Sequence, residues 1–410
     1  MIMNKRLTSI ALIVHFLVIH AVYAQTYSLN EVPQRIILNL TASPENSMAV
    51  TWRTNEEFKG SEVHYAVSTQ WTDFKKSVTK VNAKTEKFRI DDHQFVYHYS
   101  GVLDGLKPGT TYVYRVGHDS VWSEWNQFKT ASKENAPFKF VYFGDPQNNI
   151  KEHVSRVFRE AYKLAPDAGF WLYAGDLVAY PTDDLWGELF YAAGFIYRVT
   201  PSIMVPGNHD RSVVLVDGKE ERLKTTDPIW NAHFTLPENG ITGLEETSYY
   251  VDYQGVRFLM LNTNDKLEEQ AEWMEKLLSK NPNKWTIVTL HYPFYNSGSD
   301  HDTKAVRIAL LRIIDKYNVD LVLQGHDHTY ARTFKLRDGR VVPVDEKGTV
   351  YVVSVSGPKA YAINTKYKDL MAKIGDQISS FQVISVEANK LSFTSYTAAG
   401  VVYDSFELRK

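Results

Sequence analysis

The sequence predicts two structural parts, an all-β sandwich followed by a larger α/β domain. Three observations carry this reading. The 410 residues exceed one typical domain. Short alternating strand patterns fill the stretch from about Pro33 to Thr130, and continuous apolar strands alternate with helical stripes beyond Pro137. The composition, 44% hydrophobic and 23% charged, is that of a globular protein with ample material for a core.

The first 24 residues are set apart. Lys5 and Arg6 precede a mostly apolar run from Leu7 to Val22, and Val22-Tyr23-Ala24 places small residues where a signal peptidase reads them. The segment reads as a signal peptide cleaved after Ala24, with an uncleaved anchor as the alternative. Losing Lys5 and Arg6 takes the formal net charge from −2 to −4, too mild to indicate nucleic acid or an anionic membrane as partner. No cysteine is present, so the chain folds without disulfides and carries no lipoprotein cysteine. An exported protein, bacterial periplasmic or secreted and without stable membrane insertion, fits these features.

Residues 33–131 read as the sandwich. Met48, Val50 and Trp52 alternate with Ala49, Thr51 and Arg53, the period of a half-buried strand, and Val63, Tyr65 and Val67 repeat it. Tyr112, Tyr114 and Val116 follow the turn Leu106-Lys107-Pro108-Gly109-Thr110. This stretch resembles fibronectin type III domains, with Tyr112 in the place of the tyrosine corner. It offers no cluster of metal-binding or nucleophilic groups, which marks it as a structural or docking module. Ala131 to Ala136 reads as a linker.

Residues 137–410 read as the α/β domain. Phe138 to Phe143, Phe170 to Ala174, Ser202 to Val205, Trp285 to Leu290 and Asp320 to Leu323 are buried strands. Lys151 to Leu164 is a predicted helix. Two helical stripes follow, one through Leu267, Ala271, Met274, Leu277 and Leu278, the other through Val306, Leu310, Ile313, Ile314 and Tyr317. Strands return from Thr349 to Glu407. Pro181 to Arg198 and Arg211 to Gly240 read as loops.

Every chemically capable side chain sits at the C-terminal end of one of these strands, the edge where open α/β sheets bind ligands. The ends carry Asp145; Asp176; Asn208 with His209; His291; and His326 with His328. Each alone has a plain explanation as a turn or a hydrogen-bonded histidine. Five such ends in one domain converge on metal binding, and carboxylate, imidazole and amide oxygen suit iron, zinc or manganese.

The order Gly-Asp-x-Gln, Gly-Asp, Gly-Asn-His-Asp, Val-x-x-His, Gly-His-x-His resembles the calcineurin-like metallophosphoesterases, and most closely their purple acid phosphatase branch, which also carries a fibronectin-like N-terminal domain. The resemblance implies two sheets flanked by helices, an αββα sandwich. It implies a binuclear centre in which Asp176 bridges, Asp145 and His328 hold the first metal, and Asn208, His291 and His326 hold the second. Two metal ions about 3.5–4 Å apart can clamp a phosphate and activate water. His209 would stand beside the phosphate. His301 resembles the second of two adjacent histidines in plant purple acid phosphatases and would protonate the leaving group; Asp300 stands in place of the first. Arg211, Tyr330 and Arg332 are candidates for contacting substrate.

Two positions depart from that branch. Its Gly-Asp-x-x-Tyr places an iron-binding tyrosine where this chain has Ala179; Tyr180 falls one residue late and turns another way, which leaves it a marginal metal candidate and predicts a site without tyrosinate colour. The position two after Asp145, often histidine in the wider superfamily, is Gln147, a candidate weak ligand with an ordinary loop glutamine as the alternative. The expected activity is hydrolysis of small phosphate monoesters. A phosphodiesterase or nucleotide pyrophosphatase on the same site is the nearest alternative, and a non-catalytic binding or adhesion protein the reading of another class.

Overall fold

The computed structural model describes residues 32–90, 94–298, 303–375 and 377–410. Residues 1–24, expected to be a signal peptide, and His301 lie outside the described residues.

A ten-stranded sheet runs through both parts of the chain. Its order is Val402–Arg409, Lys390–Thr397, Ser380–Val386, Phe138–Phe143, Phe170–Tyr173, Ser202–Met204, Gln34–Leu40, Met48–Thr54, Phe95–Leu103 and Lys84–Arg89. The seam between the two parts is a parallel pairing in which Asn39 stands opposite Ser202. The Asn39 amide reinforces it, donating to the Ser202 carbonyl (3.0 Å) and accepting from the Thr235 N–H (3.2 Å). Met48–Thr54, expected to be half-buried, is buried at every position. Alternation failed there because both faces are covered, one by the sandwich core and the other by the α/β domain: Thr51 meets Thr235 (3.3 Å) and Arg53 meets Asp183 (2.5 Å). A second sheet of short strands, including Glu62–Val67 and Thr111–His118, closes the sandwich. The Tyr112 hydroxyl accepts the Lys107 N–H at 2.8 Å, the corner contact its position predicts.

The segment expected as a linker is tied down. Ala131 is buried and its N–H donates to Pro44, while Gln254 bonds the N–H of Ser132 (2.8 Å) and the carbonyl of Ala136 (2.7 Å).

A seven-stranded sheet follows in the order Tyr249–Tyr253, Val256–Leu261, Trp285–Leu290, Leu321–Gln324, Val350–Val353, Tyr330–Thr333 and Met371–Gly375. It packs face to face on the larger sheet through aromatic contacts, with Phe258 against both Phe140 and Phe170 at 5.2 Å. Its outer face is covered by the helices Leu267–Leu278 and Lys304–Tyr317, which bury Met274, Leu278, Leu310 and Ile314. Ser155–Leu164 and Asp183–Ala193 cover the larger sheet with Val157, Phe158, Trp186 and Leu189. The result is the expected helix–sheet–sheet–helix stack.

Three expectations of local structure are corrected. The helix read as Lys151 to Leu164 begins with a π turn, Ile150–Val154, before the α-helix Ser155–Leu164. Pro181 to Arg198 is largely the helix Asp183–Ala193; Trp186, Leu189, Phe190 and Ala193 have helical spacing and all are buried. Arg211 to Gly240 contains a hairpin, Arg211–Val216 with Lys219–Thr226, turning at Asp217-Gly218 with both φ positive (49° and 75°), then the helix Ile229–His233.

Candidate metal centre

Parallel strands bring their C-terminal ends to one edge, and two sheets packed face to face bring two such edges together. Phe138–Phe143, Phe170–Tyr173 and Ser202–Met204 of one sheet deliver Asp145, Asp176 and Asn208. Trp285–Leu290 and Leu321–Gln324 of the other deliver His291, His326 and His328. One sheet therefore contributes oxygen and the other nitrogen.

The backbone is bent to present them. Asp145, Asp176, His326 and His328 all have positive φ (42°, 51°, 77° and 49°). Non-glycine residues rarely adopt this region, and each such residue costs about 1–3 kcal/mol. Four at one sheet edge mark a place where orientation is maintained against strain. Glycine is required beside them: a Cβ on Gly207 would lie 2.1 Å from Asp176 Oδ1, and one on Gly325 would lie 2.1 Å from Asp145 Oδ1.

The side chains converge. Asn208 Oδ1 lies 3.0 Å from His291 Nε2 and 2.9 Å from His326 Nδ1. His291 Nε2 is 3.4 Å from Asp176 Oδ2, and His328 Nε2 is 3.5 Å from Asp145 Oδ2. His291 Nδ1 faces the Ala174 carbonyl at 2.9 Å, which can only accept, so Nδ1 carries a proton and Nε2 is the nitrogen directed inward. Asp145 accepts the His326 N–H on both oxygens (2.8 Å), and Asp176 accepts the His209 N–H (2.7 Å). Two groups with metal-binding geometry result, Asp176–His291–His326 and Asp145–Asp176–His328, and Asp176 belongs to both.

Electrostatics point the same way. Burial drives the Asp145 carboxyl well above its ordinary value, His291 opposes this, and the neighbouring Asp176 carboxylate adds to it. Burial would depress His291, but Asp176 and Asp145 outweigh it and raise the imidazole to about 9. Burial takes His326 and His328 down to about 3. Two adjacent buried carboxylates facing neutral imidazole nitrogens suit cations, which relieve the carboxylate repulsion and bind neutral nitrogen. Gln147 completes the floor: its amide nitrogen lies 2.9 Å from Asp176 Oδ2 and 3.0 Å from His328 Nε2, and its buried Oε1 has no hydrogen-bond partner. Turning the amide over would put that oxygen between the same two groups.

Of the other expected residues, His209 is half-buried at the rim. Its Nδ1 lies 2.8 Å from the Ala179 carbonyl, and burial lowers its pKa. Arg211 donates to the Asn208 carbonyl at 3.1 Å. Tyr180 is exposed, and the Arg222 guanidinium lies 4.7 Å from its ring centroid. Tyr330 and Arg332 are engaged within the protein. Both point to the last strand of the large sheet, where Asp404 accepts the Tyr330 hydroxyl (2.8 Å) and the Arg332 Nε and Nη2 (2.7 and 3.0 Å). They lie on the strand after the His-x-His loop, and their side chains tie two sheets together.

Several functional neighbours had not been singled out. Asp210 accepts the N–H groups of Gly207 (2.8 Å) and Leu177 (3.1 Å), binding the Asp176 and Asn208 loops to one another. Asp327 accepts from Ser297 (2.5 Å) and Gly298 (3.2 Å), anchoring the loop after His291. Both aspartates stood inside the quoted motifs, and each is buried. Arg222, on the hairpin, donates to the carbonyls of His209 (2.9 Å) and Ala179 (3.0 Å). Nothing in the sequence marked it.

Fold and site together define a metal-dependent phosphoester hydrolase of the metallophosphoesterase class. Family models match in two places: "Purple acid Phosphatase, N-terminal domain" over residues 33–130 and "Calcineurin-like phosphoesterase" over 138–330. The chain belongs to the calcineurin-like phosphoesterases, on their purple acid phosphatase-like branch. Probable purple acid phosphatase 20 of Arabidopsis thaliana is 24% identical over 82% of this chain and 77% of its own length. Fe(3+)-Zn(2+) purple acid phosphatase 12 of the same plant is also 24% identical, over 81% and 73%. A purple acid phosphatase from yellow lupin seeds superposes with a TM-score of 0.76 at 20% identity, covering 92% of this chain and 74% of that one. PhoD superposes at 0.67 with 12% identity, covering 94% and 92%.

Proposed function

We propose that this chain is an exported phosphomonoesterase with a binuclear centre. Asp176 would bridge two metals, Asp145 and His328 would hold the first, and Asn208, His291 and His326 would hold the second. The observation that carries the reading is the pair of overlapping ligand groups sharing Asp176 at the joined sheet edges. Metal ions bound there supply charge stabilisation for a phosphoryl group and lower the pKa of water.

The chain's own residues do the positioning. His209, with Nδ1 engaged by Ala179, offers Nε2 to a phosphoryl oxygen or to the departing oxygen. Asp210 and Asp327 fix the loops that carry the ligands. Ala179 in place of the branch's tyrosine supports a colourless site of manganese, zinc or ferrous iron, with Gln147 on the first-metal side. Export rests on the charged and apolar N-terminus; among the described residues no helix is long and apolar enough to cross a membrane.

The test uses metal-free protein reloaded with Mn, Zn or Fe and given p-nitrophenyl phosphate or bis-p-nitrophenyl phosphate. Faster monoester turnover, with no tyrosinate–iron band in the visible spectrum, is the expected result. Faster diester turnover would reassign the same site to phosphodiesters, and folded, loaded protein turning over neither would remove the enzymatic reading.

Arg222 gives a second prediction. Its guanidinium ties the hairpin to the backbone on both sides of the His209 ring. Arg222→Ala is expected to lower kcat by about 10- to 100-fold, the effect typical of supporting partners in metal sites, with a smaller change in KM. Arg222→Lys should restore only part, lacking the forked geometry. Unchanged steady-state kinetics would show that His209 needs no such support.

A further inference from the structure

The segment from Ser356 to Tyr361 belongs to none of the ligand motifs, yet it crosses directly over the first-metal side of the centre. The Ser356 N–H donates to the Gly144 carbonyl (2.6 Å), the Gly357 N–H to Asp145 (2.9 Å), and the Tyr361 N–H to His328 (3.3 Å). The approach is close enough that a Cβ on Gly357 would lie 2.3 Å from the Gln147 carbonyl oxygen. The strap is thus fixed at both ends to residues of the candidate centre.

It carries two side chains suited to recognition. The Tyr361 ring packs edge-on against the His328 ring, with centroids 4.9 Å apart and planes at 67°. Lys359 Nζ lies 5.1 Å from the Tyr361 ring centroid. The Lys359 side chain has no ion-pair partner among the described residues, and the residue is half-buried. The site's carboxylates, Asp145, Asp176, Asp210 and Asp327, are all buried and turned to loops or ligand positions. The guanidiniums of Arg211 and Arg222 are turned to backbone carbonyls. Among the described residues, Lys359 is the cation near the site that is left to meet something entering with the substrate.

We propose that Lys359, braced on Tyr361, forms a second anion subsite beside the metal centre, which takes a carboxylate or further phosphate on the part of the phosphate ester that is not transferred. This rests on the phosphoesterase reading and narrows its substrates to esters with two anionic groups. The physical reason is that aromatic support partly places the ammonium in advance, which lowers the entropy lost when it pairs with an anion.

The test is a binding measurement on the metal-loaded protein with two non-hydrolysable probes, methylphosphonate and phosphonoacetate, which differ by one carboxylate. Calorimetry is expected to show wild-type protein preferring phosphonoacetate by about 10-fold, a preference that weakens with added salt. Lys359→Ala should abolish the preference, and Lys359→Arg should retain most of it. Metal content is measured on every variant. Equal preference in Lys359→Ala and wild type, no preference in wild type, or loss of metal in Lys359→Ala would each overturn the subsite. Absence of turnover with any ester, with the Lys359-dependent preference intact, would instead count against the proposed catalytic activity.

Discussion

Asn208→Ala is expected to take metal content from two ions per chain towards one and to lower phosphoester hydrolysis by more than about 100-fold. Its amide oxygen lies within 3.0 Å of ring nitrogens on both His291 and His326, so it stands where the second group of ligands meets. Removing it leaves two imidazoles to hold a cation without their neutral oxygen partner. Supporting residues outside a coordination sphere already change metal affinity or activity by about 10- to 100-fold, so a direct ligand should exceed that range. His291→Ala should behave alike, and should also free the Asp176 carboxylate from the imidazole now 3.4 Å away. Elemental analysis alongside turnover gives the result. Two ions per chain with near-normal rates in Asn208→Ala would remove Asn208 from the ligand set.

Asp183→Ala is expected to lose about 3–5 kcal/mol of stability while leaving the metal site assembled. Asp183 opens the helix Asp183–Ala193 and accepts from Arg35 at 2.8 and 3.0 Å and from Arg53 at 2.5 Å, both from the sandwich. Their side chains are only 10% and 7% exposed, so the carboxylate is the compensating charge for two guanidiniums out of water. Burial, then Arg53, pulls Arg35 down to about 10, a measure of how poorly the pocket tolerates its charge. The neighbouring histidines cannot help: burial holds His98 down to about 3, and His233 is likewise held well below its ordinary value. Denaturant unfolding followed by fluorescence would give the loss. Asp183→Ala combined with Arg53→Met should recover part of it by removing one of the stranded charges. A single variant as stable as wild type would show that the two parts of the chain do not depend on this contact.

The two predictions separate what could be read along the chain from what could not. The strand ends and their ligand-type residues were legible because apolar runs closing on Gly-Asp, Gly-Asn-His-Asp and Gly-His-Asp-His are local patterns, set by burial on both faces and by backbone bends within a few residues. The same locality made the helical stripes through Met274 and Leu310 legible. The helix at Asp183–Ala193 was equally local and was passed over, although Trp186, Leu189, Phe190 and Ala193 spell its buried face.

Pairings across hundreds of residues were not legible. Sequence alone determined that Asp145, Asp176, Asn208, His291, His326 and His328 end strands of an α/β domain, because hydrophobic periodicity and glycine placement are short-range. Tertiary structure alone decided four further things. The sandwich shares a sheet with that domain through Asn39 and Ser202. Arg332 and Tyr330 turn to Asp404. Arg222 braces His209 from a hairpin. Lys359 is carried over the first-metal side by a strap 31 residues beyond His328. Each depends on which surfaces meet when two sheets close face to face, and no periodicity in the chain encodes that meeting.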